Sequence, residues 1–330
     1  MTGQAITGAV SGNSVAGTLA GKLVVLVGGS GFVGTHLAQE LLARGARLRV
    51  ACRNPKRAFR IKPLGNLGEV QFASLDVTRP ETLERALAGA DAVVNLVGAF
   101  AGDLDAVMGR GAGNVATAAK AAGAAALVHV SAIGANAEGD TAYARAKAAG
   151  EAAVLAAFPA ATVLRPSVLF SSDDKFVNLF AGLIATLPVI PVFAPEARFQ
   201  PLFVDDLAAG IANALENPAA YGGKTYELGG PEAISVLELN QRIAAAQGRK
   251  PVFAPLPDAL SGMIAGLTGW LPGAPLTSQQ WKLLKAGNVA SGTLPGIADL
   301  GVSARPLGLF LDRWMVRYRK HGRFGTKAAA

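Results

Sequence analysis

Short apolar runs alternate with helical patterns along the first half of the chain. Six runs have the length and composition of buried strands: Leu23–Val27, Arg47–Ala51, Val70–Ala73, Ala92–Leu96, Leu127–Ser131 and Thr162–Leu164. Patterns of helical period cover residues 32–44, 81–89, 104–122 and 142–157. Strands joined by helices pair in parallel and are covered on both faces, so this half predicts an α/β fold with a doubly wound parallel sheet.

The rhythm changes after Pro166. Helical patterns at 174–187 and 204–216 and a strand at Thr225–Leu228 follow in irregular order. Ser235, with a glutamate three positions later, has the capping-box pattern of a helix start. These shorter elements predict a small C-terminal α+β lid that is attached to the sheet domain and does not form an autonomous domain.

Composition narrows the class of protein. Hydrophobic residues make up 51% of the 330-residue chain and charged residues 16%, which excludes a disordered or fibrous protein. The single cysteine, Cys52, excludes an internal disulfide and fits a reducing cytoplasm, and no Cys/His cluster predicts a metal site. The net charge is +8, but residues 301–330 hold seven Lys or Arg against one Asp. The rest of the chain therefore has too little positive charge for a nucleic-acid-binding face.

A glycine-rich loop follows the first predicted strand and opens the first predicted helix. Gly28 allows a tight turn there, Gly31 lets the backbone approach a pyrophosphate, and Gly34 permits close packing of helix on strand. The free N–H groups of the helix start also favour an anion. The pattern predicts a Rossmann-like dinucleotide site rather than a flexible turn. The loop residues that we expect at the cofactor are Gly28, Ser30, Gly31, Phe32, Val33 and Gly34.

The end of the second predicted strand indicates which nicotinamide dinucleotide binds. An NAD(H) site places an Asp or Glu here to hold the ribose 2′-OH. No acidic residue occurs between Leu41 and Gly68, whereas eight Lys or Arg do. Arg53 stands where a guanidinium can bind a 2′-phosphate, with Lys56 or Arg57 as a second charge. These residues favour NADP(H) over NAD(H); the alternative is an ordinary solvated basic loop.

Two further strand ends suit the cofactor. Asp76 and Val77 follow the third strand, where the carboxylate can accept a hydrogen bond from the adenine amino group. Asn95, Val97 and Gly98 lie at the end of the fourth strand, at the edge of the sheet where ligands bind. For Asp76 the alternative is a turn residue or a helix N-cap.

Tyr143 and Lys147 lie four residues apart, early in the helix after the fifth predicted strand. This spacing places both side chains on one face, where an ammonium can lower the pKa of a phenol and anchor a nicotinamide ribose. Tyr143 is thus the candidate general acid, and Ser131 at the strand end is the candidate catalytic hydroxyl. The alternative for Ser131 is a hydroxyl that the backbone satisfies.

Together these motifs resemble the short-chain dehydrogenase/reductase superfamily in its extended and atypical branch, over roughly residues 22–230. More narrowly, the succession Tyr143–Glu151, Leu164–Phe170 and Gln200–Asp206 is similar to the subunit-nine accessory proteins of respiratory complex I and their bacterial relatives. The resemblance implies a tightly held NADP(H), which Pro166 also contacts. It further implies a structural or membrane-associated role, with partners in a respiratory complex or in ubiquinone metabolism.

The chain departs from the pattern of an active reductase of this superfamily. Such an enzyme has a Ser or Thr a few residues past the fifth strand, but here only Ser131 is available. The preceding helix would contribute an Asn to a proton relay, whereas this chain has Met108 there and Asn114 a full turn later. Because the catalytic tetrad is incomplete, we expect weak or absent turnover.

The expected organisation is a flexible N-terminal arm over 1–21, an NADP(H)-binding domain over 22–165 and a lid region over 166–330 that ends in a basic amphipathic tail. In the tail an apolar stripe recurs at helical spacing: Leu307, Phe310, Leu311, Trp314 and Tyr318. Basic residues accompany it: Arg313, Arg317, Arg319, Lys320, Arg323 and Lys327. Such a helix can contact an anionic membrane; the alternative is a helix packed on the body with a solvated basic face.

Three functions fit these observations. The first, which the resemblance favours, is an accessory or quinone-linked protein in the cytoplasm, at the inner face of the cytoplasmic membrane. The second is an active NADP-dependent reductase or epimerase on a small carbonyl or sugar nucleotide, which the Tyr143–Lys147 pair supports. The third is a non-enzymatic NADPH sensor. His36 and His129 are expected to be packing residues rather than catalysts.

Overall fold

The computed structural model describes residues 19–268, 278–320 and 322, which adopt the predicted doubly wound α/β fold. The strands are β1 (Leu23–Val27), β2 (Arg47–Cys52), β3 (Val70–Ser74), β4 (Ala92–Asn95), β5 (Ala126–Val130), β6 (Thr162–Pro166), β7 (Leu169–Phe170), β8 (Val189–Val192), β9 (Arg198–Phe199), β10 (Leu202–Phe203), β11 (Thr225–Leu228), β12 (Ile234–Ser235) and β13 (Val252–Pro255). Seven of them form one parallel sheet in the order β11-β6-β5-β4-β1-β2-β3, which confirms the predicted fold class. The others form the pairs β7–β10, β9–β12 and β8–β13.

Helices connect the strands and build the lid. The α-helices are α1 (Phe32–Ala43), α2 (Pro80–Leu87), α3 (Gly111–Ala121), α4 (Ala142–Ala157), α5 (Phe176–Thr186), α6 (Val204–Glu216), α7 (Pro218–Tyr221), α8 (Val236–Gln247), α9 (Asp258–Thr268), α10 (Ser278–Ala286) and α11 (Gly308–Trp314). A π-helical turn at Asp105–Arg110 leads into α3. Short 3-10 segments cover Pro55–Leu64, Ala298–Leu300 and Met315–Tyr318. The strands and helices predicted for the first half agree with these bounds to within one or two residues.

The central sheet is buried on both faces, which explains why its strands are uninterrupted apolar runs. In β1, Val24 and Leu26 face a core that α1 and α6 share, whereas Val25 and Val27 face a core that α2, α3 and α4 share. All four side chains are fully buried. Alternate residues of one strand therefore hold helices on both sides, and the loops at the C-terminal strand ends remain available to form a site.

Two elements beyond Pro166 join the sheet domain. Strand β11 pairs with β6, and α6 packs beside α1. Two ion pairs connect the elements at this edge, because Arg165 of β6 lies 2.7 Å from Glu151 of α4 and 3.6 Å from Glu227 of β11. The elements around α5, α8 and α11 pack on a separate apolar core, and we call this part of the structure the lid.

The C-terminal segment is a packed element of the lid. Leu311 is buried, and the Phe310 ring stacks on Phe203 and on Trp314 at centroid distances of 4.3 and 4.7 Å. The expectation that this apolar stripe faces a membrane is therefore wrong, because the stripe packs against the lid core. The helix is also shorter than predicted, since it ends at Trp314 and a 3-10 turn follows. Residues 323–330 of the tail lie outside the described residues.

Residues 1–18, most of the predicted N-terminal arm, lie outside the described part of the chain. Among the residues that are described, no helix has the length and apolar character needed to cross a membrane. Ser235 caps α8 as predicted, because its hydroxyl accepts a hydrogen bond from the Glu238 N–H at 3.1 Å.

Candidate functional site

The loops after neighbouring strands meet at the C-terminal edge of the sheet. From β1 the sheet continues to β2 and β3 on one side and to β4 and β5 on the other, which makes this edge a topological switch point. Ligands bind in the crevice at such points. The glycine loop follows β1, Arg53 follows β2, Asp76 follows β3 and Asn95 ends β4. The structure thus brings the predicted cofactor residues to one edge of the sheet.

Three glycines of the loop have different structural reasons for lacking a side chain. Gly28 has a φ of +78°, a left-handed conformation that side chains avoid. A Cβ on Gly34 would lie 2.1 Å from the carbonyl oxygen of Gly29, so only glycine lets α1 start this close to β1. A Cβ on Gly31 would meet no atom nearer than 3.7 Å, and its φ is −81°. The protein itself does not require glycine at Gly31, and the open space there fits a bound pyrophosphate.

The start of α1 has the features of an anion site. Gly31 is the N-cap residue, and no described side chain caps the helix. The backbone N–H groups of Phe32 and Val33 therefore lie at a positive helix end without a side-chain acceptor. Arg60, from the 3-10 segment after β2, donates hydrogen bonds to the carbonyl oxygens of Ser30 and Gly31 at 2.9 and 3.0 Å. Sequence reasoning missed Arg60, because nothing in the basic run singles out the residue that turns back onto the loop.

Asp76 and Arg53 lie on adjacent strand ends. The backbone N–H and the hydroxyl of Thr78 donate to Asp76 Oδ1 at 3.0 and 2.8 Å, which is the main reason that the pKa of Asp76 is lowered. The charge of Arg53 lowers the pKa of Asp76 further. Asp76 therefore acts as a turn residue, and its contact with adenine stays a prediction. The neighbouring Val77 carbonyl oxygen accepts a hydrogen bond from Asn114 at 3.0 Å.

Asn95 joins β4 to β5 through its side chain. Its Oδ1 accepts from the Val97 N–H at 3.1 Å, and its Nδ2 lies 3.1 Å from His129 Nδ1. Donation from Nδ2 leaves the imidazole proton on His129 Nε2, which has no partner among the described residues. Burial lowers the pKa of His129 to about 3, and the charge of Lys147 adds to this, so the ring is neutral. Gly98 follows with open space at its Cβ position.

Tyr143 and Lys147 lie on one side of α4, beside the end of β5. The Lys147 ammonium is buried, donates to the Val130 carbonyl oxygen at 3.0 Å and lies 6.0 Å from the centre of the Tyr143 ring. Burial lowers the pKa of Lys147 to about 8 and raises the pKa of Tyr143 to about 12. The expected lowering of the Tyr143 pKa is therefore wrong. The Phe100 ring stacks on Tyr143 with the centroids 4.9 Å apart.

Ser131 lies buried just past β5 with an unsatisfied hydroxyl. Its N–H donates to the Leu164 carbonyl oxygen at 2.7 Å, but its Oγ has no partner among the described residues. The interpretation of a hydroxyl that the backbone satisfies is therefore wrong. A buried polar atom without a partner costs free energy, so Ser131 Oγ fits a bound polar group. At the adjacent strand end, Pro166 accepts a hydrogen bond from the Ile133 N–H at 3.1 Å.

The two relay positions carry structural contacts. Met108 is 2% exposed in the π-helical turn, and its sulfur accepts from the Ala99 N–H at 3.4 Å. Asn114 is occupied by its hydrogen bond to the carbonyl oxygen of Val77, which braces the loop after β3. The amide that would complete a proton relay is thus absent at Met108 and committed elsewhere at Asn114.

His36 forms ion pairs and is not the packing residue that we expected. Its Nδ1 lies 2.6 Å from Asp205 and its Nε2 lies 3.1 Å from Asp173. Burial alone would lower the pKa of His36, but the hydrogen bonds and charges of the two carboxylates raise it. Because Asp205 lies in α6 and Asp173 precedes α5, His36 connects the helix of the glycine loop to both elements.

The fold and the glycine loop at the start of α1 define a nicotinamide-dinucleotide-binding protein of Rossmann type. Residues 28–180 match a family model described as NAD(P)H-binding. A relative from Rattus norvegicus, NADH dehydrogenase (ubiquinone) 1 alpha subcomplex subunit 9, mitochondrial, is 29% identical over 92% of this chain and 82% of its own. Ceramide reductase from Caulobacter vibrioides is 31% identical over 72% of this chain and 74% of its own. The chain belongs to the atypical short-chain dehydrogenase/reductases, in the group of complex I subunit nine.

A solved structure supports the fold. The NADPH-dependent quinone oxidoreductase from Escherichia coli, solved in complex with NADPH, superposes with a TM-score of 0.70 at 19% identity. The superposition covers 88% of this chain and 99% of the oxidoreductase. At this identity the likeness establishes the Rossmann-like architecture.

Proposed function

We propose that this chain is an accessory or quinone-linked protein that holds NADP(H) tightly and turns it over slowly or not at all. The arrangement around Tyr143 carries the proposal. A general acid works best with a pKa near the operating pH, whereas burial raises the pKa of Tyr143 to about 12. Phe100 covers one face of the phenol ring, and Met108 replaces the relay amide. The residues of the site are therefore better suited to binding the nucleotide than to transferring a proton.

The preference for NADP(H) rests on the charge of the second strand end. Arg53 is exposed there, and Arg60 already lies against the glycine loop. No carboxylate between Leu41 and Gly68 can accept from a ribose 2′-OH. A 2′-phosphate would gain charge-assisted hydrogen bonds from the guanidinium of Arg53. Lys147 would hold the nicotinamide ribose.

The name of a relative supports a proposal for the partners and the location. The rat relative is by its name a subunit of NADH dehydrogenase (ubiquinone), and it aligns with 92% of this chain. We infer that this chain associates with a respiratory complex or with quinone-metabolising enzymes at the inner face of the cytoplasmic membrane.

An active NADPH-dependent reductase is the second candidate, which the unpaired polar atoms at the end of β5 favour. Ser131 Oγ and His129 Nε2 are both buried without a partner among the described residues, and both lie at this strand end. A substrate carbonyl oxygen can accept from such donors. The Caulobacter vibrioides relative is by its name a reductase.

Nucleotide content and affinity test the proposal. Denaturation of natively purified protein should release NADP(H), and Arg53→Ala should weaken NADPH binding by about 1–3 kcal/mol while NADH binding changes far less. Lys62→Ala is the matched control, because Lys62 is an exposed cation on the 3-10 segment that begins two residues after Arg53. Equal losses for both cofactors would contradict the assignment of NADP(H). Carbonyl reduction on the order of 10 per second, lost in Tyr143→Phe, would favour the reductase.

A further inference from the structure

A cationic cavity lies in the lid, where the ends of α5 and α8 meet the C-terminal segment. Its volume is about 390 Å³, and Arg249, Lys250, Arg319 and Lys320 all line it. No Asp or Glu is among the described residues that line it. None of these residues belongs to the cofactor site described above. The cavity therefore concentrates positive charge at a place that the dinucleotide does not explain.

Hydrogen bonds hold the two arginines of the cavity in place. Arg319 donates to the Ala246 carbonyl oxygen from Nε and Nη2 at 3.1 and 3.0 Å, and Arg249 Nη2 donates to the Tyr318 carbonyl oxygen at 3.3 Å. In the described ranges of the chain, no carboxylate forms an ion pair with any of the four cations that line the cavity. Arg249 Nε is also buried, with no acceptor in the part of the chain that the structure describes. An anion in the cavity would supply the missing negative charge.

Apolar residues also line the cavity, and exposed apolar residues adjoin them in the chain. Leu187 lines the cavity and is 41% exposed. Pro188 and Pro251 also line it, and each is followed by an exposed valine. These valines, Val189 and Val252, face each other across the β8–β13 pair and are 50% and 64% exposed. Exposed apolar side chains thus lie at the cavity lining or next to it in the chain.

We propose that this cavity binds the phosphate-bearing headgroup of an anionic phospholipid, with the exposed Leu187, Val189 and Val252 in contact with the lipid surface. A free phosphate needs the cations but gains nothing from an apolar rim. A lipid uses both, because the headgroup meets the cations while the rim leaves water. This surface differs from the apolar stripe of the tail, which packs inside the lid, and the proposal does not depend on the bound dinucleotide.

Vesicle binding by the full chain tests the proposal. Sedimentation with phosphatidylcholine vesicles, with and without phosphatidylglycerol, should show binding to the anionic vesicles that weakens in high salt. Lys250→Gln with Lys320→Gln should reduce the partition coefficient about 30-fold, since each basic residue near an anionic surface contributes roughly a factor of five. Lys22→Gln with Lys120→Gln removes the same charge from exposed positions outside the cavity and should change binding less than about threefold.

Other results would overturn the proposal. No binding to anionic vesicles, or equal losses in the two double variants, would leave no specific headgroup site. Leu187→Ser with Val252→Ser should weaken vesicle binding by roughly tenfold through the lost apolar contact. Unchanged binding would show that these exposed apolar side chains do not contact the lipid. Titration calorimetry with inorganic phosphate is the third arm. Binding of phosphate by a chain that ignores vesicles would assign the cavity to a soluble anion instead.

Discussion

Replacing Gly31 and Gly34 with alanine, one at a time, separates cofactor binding from folding. Both residues belong to the glycine loop, but an added methyl group meets different surroundings at each. At Gly34 it would lie 2.1 Å from the Gly29 carbonyl oxygen. At Gly31 the nearest protein atom is the Gly28 carbonyl oxygen, 3.7 Å away. Gly34→Ala therefore disturbs the packing of the folded protein, whereas the methyl group of Gly31→Ala occupies space proposed for the pyrophosphate.

The surroundings set the expected magnitudes. For Gly34→Ala the contact is with backbone that cannot move without shifting β1 or α1, so the free energy of unfolding should fall by about 3 kcal/mol. For Gly31→Ala, the loss of a favourable N-cap and the lower entropy of the unfolded chain nearly cancel, each amounting to less than about 1 kcal/mol. Its methyl group should instead weaken NADPH binding by about 1–3 kcal/mol, or roughly 5- to 150-fold.

Urea unfolding measures the first effect and titration calorimetry with NADPH the second. Gly308→Ala is the control, because it adds a methyl group that meets no atom within 4 Å, at the start of α11. It should change neither quantity strongly. Wild-type NADPH affinity in Gly31→Ala would refute the pyrophosphate position, and wild-type stability in Gly34→Ala would refute the packing argument.

Leu311→Ala should lower the free energy of unfolding by about 2–5 kcal/mol in urea, because Leu311 is 4% exposed in the lid core. Arg165→Met should cost about 3–5 kcal/mol, because it leaves Glu151 buried and unpaired, whereas the exposed Arg85→Met should cost little. His36 has a raised pKa, so its ion pairs stabilise the fold fully below its ordinary value of 6.5 and are lost as the pH rises through the folded value. The difference in unfolding free energy between wild type and His36→Gln should therefore shrink as the pH rises, and a constant difference would contradict this.

The sheet domain could be predicted because each of its strands carries its own signal. The run Leu23–Val27 is apolar at every position since both faces of β1 are covered, and the glycine loop follows it directly. The addition of Thr225–Leu228 to the same sheet has no such signal. Its partner Thr162–Pro166 lies far away in the sequence, and the pairing depends on how α6 packs. Local patterns predict an element, and they do not predict its neighbour.

The candidate site shows the same division. Gly31 and Arg53 closely follow predicted strands, and Tyr143 lies early in the helix after the fifth strand, so the sequence predicts all three at the ligand-binding edge. Phe100 could not be located, because its stacking on Tyr143 depends on the course of the loop after β4. His36 pairs with carboxylates 137 and 169 residues away, which no local spacing indicates. The pKa of Tyr143 likewise depends on burial, a property of the folded surroundings.

The tail shows why an amphipathic pattern cannot distinguish a membrane from a protein core. Helical spacing of Phe310, Leu311 and Trp314 says that one side of the segment leaves water, but both lipid and protein provide an apolar surface. The lid core supplies that surface here. The sequence likewise does not say what the basic side of the segment contacts. In the fold, Arg319 donates hydrogen bonds to a carbonyl oxygen at the C-terminal end of α8 and is thereby held at the cavity. An anionic surface would therefore meet cations arranged by the folded lid rather than by the helical repeat of the tail.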